Sequence, residues 1–417
     1  MNIWYINHYA GGPGIGPAYR PFELASAWQR QGHTATAFVA SFHHHLSCDG
    51  LKPGLFEAGG VRYCAVPTPR YTGNGLSRLI NIASFARGLL KEAARVPGEL
   101  AKPDVIIASS PHPFAIYPAH ALAKRFAAKL VFEIRDIWPL SITEITRTPP
   151  WHPFVLACAR AERFAYTHAG LIASVLPRAK SYLDENGWGD KPFVWVPNGA
   201  APARESAATS ANALKAIEQI RAWRRQGKTV LVHAGSIGPP NGLVPLIDAV
   251  CGSGAGPFAS KLAIVLLGSG LLEEELKTRS MYATCDVMFA GRVAKDEVGA
   301  IVREASFGYA GVNNYPKVYK YGVSLNKLAD YLTAAVPVFL PIAACGEPVS
   351  EAQAGLVRAV ASVSEMREAL TGLVAIPEAE RQAMGERGRH YMQSEYDYGA
   401  IAARYAAAME AVRAPSQ

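Results

Sequence analysis

The sequence predicts an α/β protein divided into two domains, each built on a largely parallel sheet. A strand, a glycine-rich turn and a helical pattern follow one another at residues 2–28, and the same succession restarts at residue 229. At 417 residues the chain is longer than one hydrophobic core usually serves. Residues 200–212 are small, polar and non-periodic, as is typical of a linker. We therefore expect domains at residues 1–199 and 213–395.

In the first domain, short apolar runs bounded by turn residues predict seven strands. They are expected at residues 2–7, 34–39, 60–66, 104–109, 130–134, 171–175 and 193–196. A long helix is predicted between Leu76 and Val96. Its apolar face should hold Leu79, Ile82, Phe85, Ala86 and Leu89, and a basic stripe on the opposite side should hold Arg87, Lys91 and Arg95.

The second domain repeats the alternation of strands and helices. Its strands are expected at residues 229–233, 262–267, 287–290, 307–310 and 338–340. Strands that alternate with helices indicate crossover connections in a parallel sheet. After about residue 376 the chain is predicted to be helical, and we expect residues 396–417 to cross back and pack on the first domain.

The composition favours an anionic partner. The net charge is +8 and the pI is near 9.1, which suits nucleic acid, acidic lipid or a phosphorylated substrate. Nucleic acid is the weakest of the three, because no RNA-binding aromatic signature and no Lys/Arg block is present. No run of about 18 apolar residues predicts a membrane span. The opening MNIWYINHY reads as a strand without a charged leader, so a cytoplasmic location is expected.

The cysteines and histidines do not indicate a metal site. The six cysteines are scattered singly, without a C-x-x-C pair, which fits a reducing compartment. His43, His44 and His45 are adjacent in sequence, so their side chains should point in different directions. We expect no bound metal.

The first glycine-rich turn, Ala10–Gly16, is expected to let a phosphate or a sugar ring approach the backbone. Pro13 and Pro17 interrupt any match to the dinucleotide fingerprint, so NAD binding is not expected. Gly14 and Gly16 are the candidate binding residues of this turn.

Three polar residues follow predicted strands of the first domain. His112 comes after strand 104–109, and Arg135 and Asp136 come after strand 130–134. Ligands gather at the carboxyl ends of parallel strands, so these three are candidate catalytic residues. The alternative for Arg135 and Asp136 is an internal salt bridge without a catalytic role.

The stretch Val318–Pro337 carries the main candidate site of the second domain. Leu325, Leu328 and Leu332 recur at helical spacing, while Gly322 and Ser324 predict a loop that leads into the helix. Free N–H groups at a helix start can hold a phosphate, and a carboxylate one turn further could bind ribose hydroxyls. The alternative is an ordinary amphipathic helix with solvated polar residues.

Five segments together resemble the retaining glycosyltransferases of family 4, which have the two-Rossmann-domain architecture called GT-B. They are YINHYAGGPGIGPAYRPFELASAWQRQGH, FEIRDIWP, VPNG, HAGSIGPPNG and YGVSLNKLADYLTAAVPV. The combination of the second and the last is similar to the branch that builds bacterial surface polysaccharides. The resemblance implies two Rossmann-like domains that face each other across a cleft.

The resemblance also assigns residues. Asp330 matches the second acidic residue of the family's E-x7-E motif, which holds the ribose, whereas the first Glu falls at Gly322. The family's Arg and Lys for the diphosphate fall at Ser236 and Asn241, so other cations must replace them. The implied donor-binding residues are Gly14, Gly16, Gly235, Ser236, Gly238, Gly268, Arg292, Lys295, Ser324, Asn326, Lys327, Leu328 and Asp330, with Arg292, Lys295 and Lys327 as the candidate cations.

The implied activity is transfer of a sugar from a UDP-sugar with retention of the anomeric configuration. The sugar would be an N-acetylated hexosamine or deoxyhexosamine, and the acceptor a polysaccharide or a lipid-linked oligosaccharide. No D-x-D motif lies near a strand end, so no metal or other cofactor is expected. The rival interpretations are a non-catalytic nucleotide-sugar binding protein and a UDP-sugar epimerase or phosphorylase of the same fold. With the basic helix, the acceptor also suggests peripheral contact with an anionic membrane.

Overall fold

The computed structural model describes residues 1–73, 75–92, 95, 98–200, 208–313 and 315–412. The chain separates into two units. The first unit contains residues 1–199, 320–322 and 398–417, and the second contains residues 200–319 and 323–397. Most of the predicted linker, residues 201–207, lies outside the described residues.

The first unit is built on an eight-stranded sheet in the order β3-β4-β2-β1-β5-β6-β7-β8. The strands are β1 Asn2–Ile6, β2 Thr34–Ala40, β3 Gly54–Ala58, β4 Val61–Val66, β5 Val105–Ser110, β6 Lys129–Ile134, β7 Leu171–Ser174 and β8 Phe193–Trp195. All neighbours are parallel except β3, which pairs antiparallel with β4. Because β1 lies between β2 and β5, the connections leave it in opposite directions. This strand-order reversal is where α/β sheets bind ligands.

Helices cover both faces of this sheet. They are α1 Arg20–Arg30, α2 Leu76–Glu92, α3 Ile116–Phe126, α4 Leu140–Ile145, α5 Pro153–His168 and α6 Ala179–Glu185. One core lies on the α2, α3, α5 and α6 side, and a second core lies on the α1 side. Burial on both faces explains why the central strands read as nearly continuous apolar runs.

The second unit has a six-stranded parallel sheet in the order β11-β10-β9-β12-β13-β14. Its strands are β9 Thr229–Ala234, β10 Leu262–Leu267, β11 Asp286–Gly291, β12 Phe307–Tyr309, β13 Val338–Leu340 and β14 Gly355–Val357. Its helices are α7 Ala211–Arg225, α8 Leu243–Ala249, α9 Glu273–Ser280, α10 Val298–Val302, α11 Pro316–Tyr319, α12 Asn326–Thr333, α13 Pro348–Glu351, α14 Val363–Ala375 and α15 Glu378–Glu395. Strand β9 lies between β10 and β12, so the order reverses there.

The last helix, α16 Tyr398–Ala411, belongs to the first unit, as predicted. Ile401, Tyr405 and Met409 are fully buried in the core on the α1 side. The Trp28 indole N–H of α1 donates to the Ala402 carbonyl at 3.0 Å. The C-terminal helix therefore completes a face of the first sheet.

The structure corrects two local expectations, and a third lies partly outside the described residues. Strand β3 was not predicted, because GLFEA is half-buried at the sheet edge and lacks a continuous apolar run. The predicted linker ends inside helix α7, which begins at Ala211 because the Ser210 hydroxyl caps it by accepting from the Ala213 N–H. Helix α2 is described as far as Glu92, and its predicted end at Val96 lies outside the described residues.

The predicted faces of α2 are confirmed in part. Ile82, Phe85 and Leu89 are buried as expected, but Leu79 is exposed. The exposed stripe runs through Leu76, Ile80, Ala83, Arg87 and Lys91, so apolar residues occupy its first half and basic residues its second. Within the described residues, no helix is long and apolar enough to cross a membrane.

Candidate functional site

In the second unit, the candidate site begins where the turns after β9 and β10 interlock. The Gly235 N–H donates to the Leu267 carbonyl, and the Ile237 N–H donates to the Ser269 carbonyl, both at 3.0 Å. A Cβ atom at Gly268 would lie 2.0 Å from the Gly235 carbonyl oxygen. Gly268 is therefore required for the packing of the two turns, whether or not it contacts a ligand.

Tyr331 fixes helix α12 against this strand-order reversal. Its hydroxyl accepts from the Ala234 N–H at 2.8 Å, at the end of β9, and donates to the Tyr309 carbonyl at 3.2 Å, at the end of β12. The ring lies over Gly308, where a Cβ would be 2.3 Å from a ring carbon. The first turn of α12 is thus held beside the glycine turns.

Lys327 places a cation in that turn region. Its ammonium donates to Asn241 Oδ1 at 2.7 Å, and Asn241 Nδ2 donates to the Ser236 carbonyl at 2.8 Å. A Cβ at Gly235 would lie 3.8 Å from the Lys327 ammonium. Burial lowers the pKa of Lys327 to about 8. The charge absent from Ser236 and Asn241 in sequence is thus supplied at the same place by a residue 86 positions after Asn241.

A neutral histidine lies near Lys327. His233 is fully buried, and its Nε2 is 3.3 Å from the Ser236 carbonyl oxygen. Burial and the neighbouring Lys327 lower its pKa to about 3. His233 therefore adds no positive charge at neutral pH, and the half-buried Lys327 is the cation beside it.

Asp330 lies one turn further along α12 and forms an ion pair with Lys295. Their side chains are 31% and 74% exposed, so the pair is solvent-screened and worth about 0–1 kcal/mol. A ligand hydroxyl could replace Lys295 at low cost. Lys295 was expected to contact the diphosphate, but the structure places its ammonium on the carboxylate instead.

The other predicted donor residues divide into accessible and buried groups. Arg292 and Asn326 are exposed, whereas Ser324 is half-buried. Leu328 is buried, and its N–H already donates to the Leu325 carbonyl at 3.0 Å. Gly238 is buried with a Cβ position 3.2 Å from Ser236 Oγ. The Leu328 amide is therefore not available to a ligand, because it is already bonded to Leu325 at the start of α12, which begins at Asn326, slightly later than predicted.

The predicted glycine turn of the first unit is closed by its own hydrogen bonds. The Gly12 N–H donates to the Gly16 carbonyl at 3.0 Å, and a Cβ at Gly16 would lie 2.4 Å from the His45 carbonyl oxygen. Gly14, at the tip, has open space around it and a φ of +72°. Gly16 serves packing, and Gly14 remains accessible. Both belong to the first unit, whereas the remaining predicted donor residues belong to the second.

The three predicted catalytic residues lie at the carboxyl edge of the first sheet. His112 is 2% exposed, Arg135 is half-buried and Asp136 is exposed. The Arg135 N–H donates to Ser110 Oγ at 3.3 Å, which joins the ends of β5 and β6. Within the described residues no ion pair links Arg135 to Asp136, so the alternative of an internal salt bridge is not supported.

Sequence reasoning missed a buried polar network beneath this edge. Glu133 is fully buried and accepts from Tyr5 Oη at 2.7 Å, Ser109 Oγ at 2.8 Å and Arg20 Nη2 at 2.8 Å. Although burial disfavours its charge, the ion pair with Arg20 holds the pKa of Glu133 below its usual value. Arg20 also donates to the Val196 carbonyl at 2.8 Å. A glutamate inside the apolar run LVFEI was the available signal.

Sequence reasoning also missed a cluster of aromatic and basic residues at the same edge. We call it the imidazole cluster: His8, Tyr9, His43, His44, His45, Tyr71, Arg78, Asn81 and His112. His8 Nε2 is 2.8 Å from Asn81 Oδ1, and Arg78 Nη2 donates to Tyr9 Oη at 2.8 Å. The strand ends of β1, β2 and β5 and the first turn of α2 bring these residues together. Only His112 had been singled out as catalytic.

Neither unit contains a recognisable metal centre within its described residues. No group of three or more His, Cys, Asp or Glu side chains there is arranged to hold an ion. A cavity of about 350 Å³ opens at the opposite edge of the first sheet, near Met1, Asp104 and Glu410. It lies away from the residues described above.

Comparison with protein families gives a match to part of the chain. Residues 16–199 match the family model described as Glycosyl transferase 4-like domain. No curated protein sequence matches the chain.

Solved structures match nearly the whole chain. They include sucrose-phosphate synthase from Thermosynechococcus elongatus (14% identity, TM-score 0.70, 98% of both chains). HepE from Anabaena in complex with UDP-glucose also matches (14%, TM-score 0.65, 99% of this chain and 100% of that one). WaaG, a glycosyltransferase involved in lipopolysaccharide biosynthesis, is similar as well (15%, TM-score 0.62, 97% of this chain and 98% of that one). At these identities the likeness establishes the fold, which is the predicted GT-B architecture.

Proposed function

We propose that this chain, with a glycosyl transferase 4-like domain at residues 16–199 and the GT-B fold, is a retaining glycosyltransferase that uses a UDP-sugar. The observation that carries the proposal is the half-buried Lys327 ammonium beside the glycine turns of the second unit. A cation in that position, next to a strand-order reversal, suits the diphosphate of a nucleotide sugar. Asp330, one turn further along α12, would bind the ribose hydroxyls.

In this proposal the protein acts mainly by position and charge. The bond between the anomeric carbon and the diphosphate oxygen breaks while the oxygen of the acceptor hydroxyl bonds to that carbon. The electron pair of the broken bond leaves with the diphosphate, which takes the proton that the acceptor hydroxyl loses. Lys327, with Arg292 as a second cation, would stabilise the charge that grows on the leaving group. Arg135 and Asp136 of the first unit would position the acceptor, together with His112. We propose that no metal is required, because Lys327 would provide the charge.

The substrates are proposed at a finer level from the sequence resemblance. The donor would carry an N-acetylated hexosamine or deoxyhexosamine, and the acceptor would be a polysaccharide or a lipid-linked oligosaccharide. HepE was solved with UDP-glucose, and WaaG is described as acting in lipopolysaccharide biosynthesis. These two similar proteins support the choice of a UDP-sugar and a cell-envelope acceptor.

A peripheral membrane location is part of the proposal, at the inner face of the cytoplasmic membrane. Leu76 and Ile80 on α2 are 71% and 52% exposed, and Arg87 and Lys91 follow on the same stripe. Trp151, just before α5, is 76% exposed at the start of another helix on that side of the sheet. Exposed apolar side chains followed by basic ones suit the surface of an anionic bilayer.

The experiment is a UDP-release assay over a panel of UDP-sugars, with polyprenyl-diphosphate-linked saccharides as acceptors. We expect acceptor-dependent release of UDP, an unchanged rate in EDTA, and a product whose anomeric proton shows retention by NMR. Conversion of the donor to an epimer without UDP release would instead identify an epimerase. UDP binding without turnover on any acceptor would favour the non-catalytic binding protein.

A further inference from the structure

The imidazole cluster of the first unit is organised around one ring. The Tyr9 ring centroid lies 4.7 Å from that of His8, 5.5 Å from His43, 5.2 Å from His44, 5.7 Å from His45 and 6.1 Å from His112. The Arg78 guanidinium lies 5.6 Å from the same ring and donates two hydrogen bonds to its hydroxyl. Five imidazoles and a guanidinium thus surround a single phenol.

The inner histidines hold polar atoms that no protein group satisfies. His8, His43 and His112 are each at most 2% exposed. His8 Nδ1, His43 Nε2 and both ring nitrogens of His112 are buried without a hydrogen-bond partner within the described structure. Buried polar atoms are nearly always paired in folded proteins, so four unpaired nitrogens in one cluster indicate a ligand.

The electrostatic surroundings indicate the sign of that ligand. Burial lowers the pKa of His43 and of His112 to about 3, and that of His8 well below its usual value. The neighbouring titratable groups that lower these pKa values further are the other histidines of the cluster and Arg78. Tyr9, Tyr71 and Asn81 are the remaining polar groups of the cluster, and none carries a negative charge at neutral pH. At neutral pH these imidazoles are uncharged and Arg78 is the positive group of the cluster, so an anion bound here would pair with Arg78 and favour protonation of the histidines.

The backbone that follows His112 also favours binding of an anion. His112 directly precedes the 3-10 turn Pro113–Ala115, which continues into helix α3. The N–H groups and dipole at a helix start favour anions. His44 and His45 are exposed and Arg78 is half-buried, so they form the accessible rim above the inner histidines.

We propose that the imidazole cluster binds a phosphate group of the acceptor, such as the diphosphate that links a saccharide to a lipid. Arg78 and the rim histidines make the first contacts, and His43 and His112 donate hydrogen bonds once protonated. The site deepens the proposed function, on which it rests, because it assigns the acceptor's phosphate to named residues. Nothing in the family match assigns this role to the cluster.

Binding at this site takes up protons. An anion favours the charged imidazolium, so it raises the pKa of His43 and His112, and the complex holds more protons than the free protein. The affinity for a phosphate group is therefore expected to rise as the pH falls from 8 to 6. A ligand held by neutral imidazoles alone would show no such dependence.

The test is NMR of the full-length protein with ¹⁵N-labelled histidine, in saturating UDP so that the donor site is filled. Inorganic diphosphate is added in one arm and farnesyl diphosphate in the other. We expect both to shift the His43 and His112 signals toward the protonated form, with calorimetric proton uptake in buffers of different ionisation enthalpy. Tighter binding of farnesyl diphosphate identifies a lipid-linked source, and equal binding identifies free phosphate.

The variants are Arg78→Gln and His112→Asn, with His390→Gln, at an exposed position of helix α15, as a control. Each of the first two should weaken diphosphate binding about tenfold or more and leave UDP affinity unchanged, whereas the control should change neither. Arg78→Gln lies at the accessible rim, so it keeps the test valid if His112→Asn does not fold.

Two results would overturn the inference. The first is that added diphosphate does not shift the histidine signals although the wild type releases UDP normally. The proposed function would then stand without this site. The second is UDP alone shifting these signals, which would assign the cluster to the donor. Absence of UDP binding would instead contradict the proposed function itself.

Discussion

At the scale of single residues, the cation proposed to bind the diphosphate stands at a position that comparison of sequence motifs does not reveal. Ser236 and Asn241 occupy the places where similar enzymes carry Arg and Lys, yet Asn241 holds the ammonium of Lys327 at 2.7 Å. The hydrogen bond keeps the cation beside Gly235. In the proposed site, one lysine on a different element would compensate for the Arg and Lys that are absent at Ser236 and Asn241.

The first prediction concerns Lys327. Lys327→Met should weaken UDP binding about tenfold to a hundredfold, because a charged hydrogen bond to the diphosphate is lost. In the wild type, UDP affinity should decline above about pH 8, because the pKa of Lys327 is lowered to about 8 and the neutral amine attracts phosphate poorly. Titration calorimetry from pH 6 to 9 measures both effects. Lys261→Met, exposed at the end of the turn before β10, is the control. Unchanged affinity in the Lys327 variant would remove this residue from the phosphate site.

The second prediction concerns the pair of Asp330 and Lys295. Asp330→Asn should reduce UDP affinity about tenfold to a hundredfold, because an amide replaces the carboxylate that accepts from the ribose hydroxyls. Lys295→Met should leave affinity unchanged or raise it slightly, because it removes the competing partner of an exposed pair. If the two variants bind UDP equally well, Asp330 is only a solvated helix residue.

At the scale of elements, helix α2 shows how a one-dimensional pattern can mislead. The predicted basic stripe included Arg95, but Arg95 donates to Glu92 at 2.5 Å and pairs with Glu99, so its charge is compensated. The exposed side instead carries Leu76 and Ile80 in its first half. Membrane contact through α2 would therefore depend on apolar insertion as well as on charge.

The third prediction separates these two contributions. Leu76→Ser with Ile80→Ser should reduce co-sedimentation with anionic liposomes at every salt concentration, because burial of apolar surface in lipid is lost. Arg87→Glu with Lys91→Glu should reduce it mainly at low salt, since the attraction to anionic lipid is screened. Arg95→Gln serves as the control, because its charge is already paired. Binding that survives both double substitutions would exclude this face of α2 as the contact.

At the scale of the whole molecule, the first unit depends on the two ends of the chain meeting. Helix α16 packs on α1, with Ile401 fully buried in the same core as Trp28. The Trp28 indole bond to the Ala402 carbonyl crosses 374 positions of sequence. The core of the first unit is therefore complete only when α16 has packed against α1.

The fourth prediction follows from this closure. Ile401→Asp should lower the free energy of unfolding by about 3–5 kcal/mol, because it removes packing and buries an unpaired carboxylate. Ala403→Asp, two residues further on the exposed side of the same helix, should change it by less than about 0.5 kcal/mol. Chemical denaturation followed by tryptophan fluorescence measures both. Equal stability of the two variants would show that α16 is not part of the first core.

The sequence by itself determined the α/β class, the two sheets and most strand positions. It could do so because a parallel strand that is buried on both faces has a nearly continuous run of apolar residues. It also located Asp330 and the strand ends that carry His112, Arg135 and Asp136. Only the tertiary structure decided which side chains meet. Lys327 reaches Asn241, Arg20 reaches Glu133, and the histidines at 8, 43 and 112 gather around Tyr9, because strand order places distant segments side by side. Local periodicity in the sequence indicates which residues are buried. Polar contacts between residues on separate strands depend instead on which strands are neighbours in the sheet.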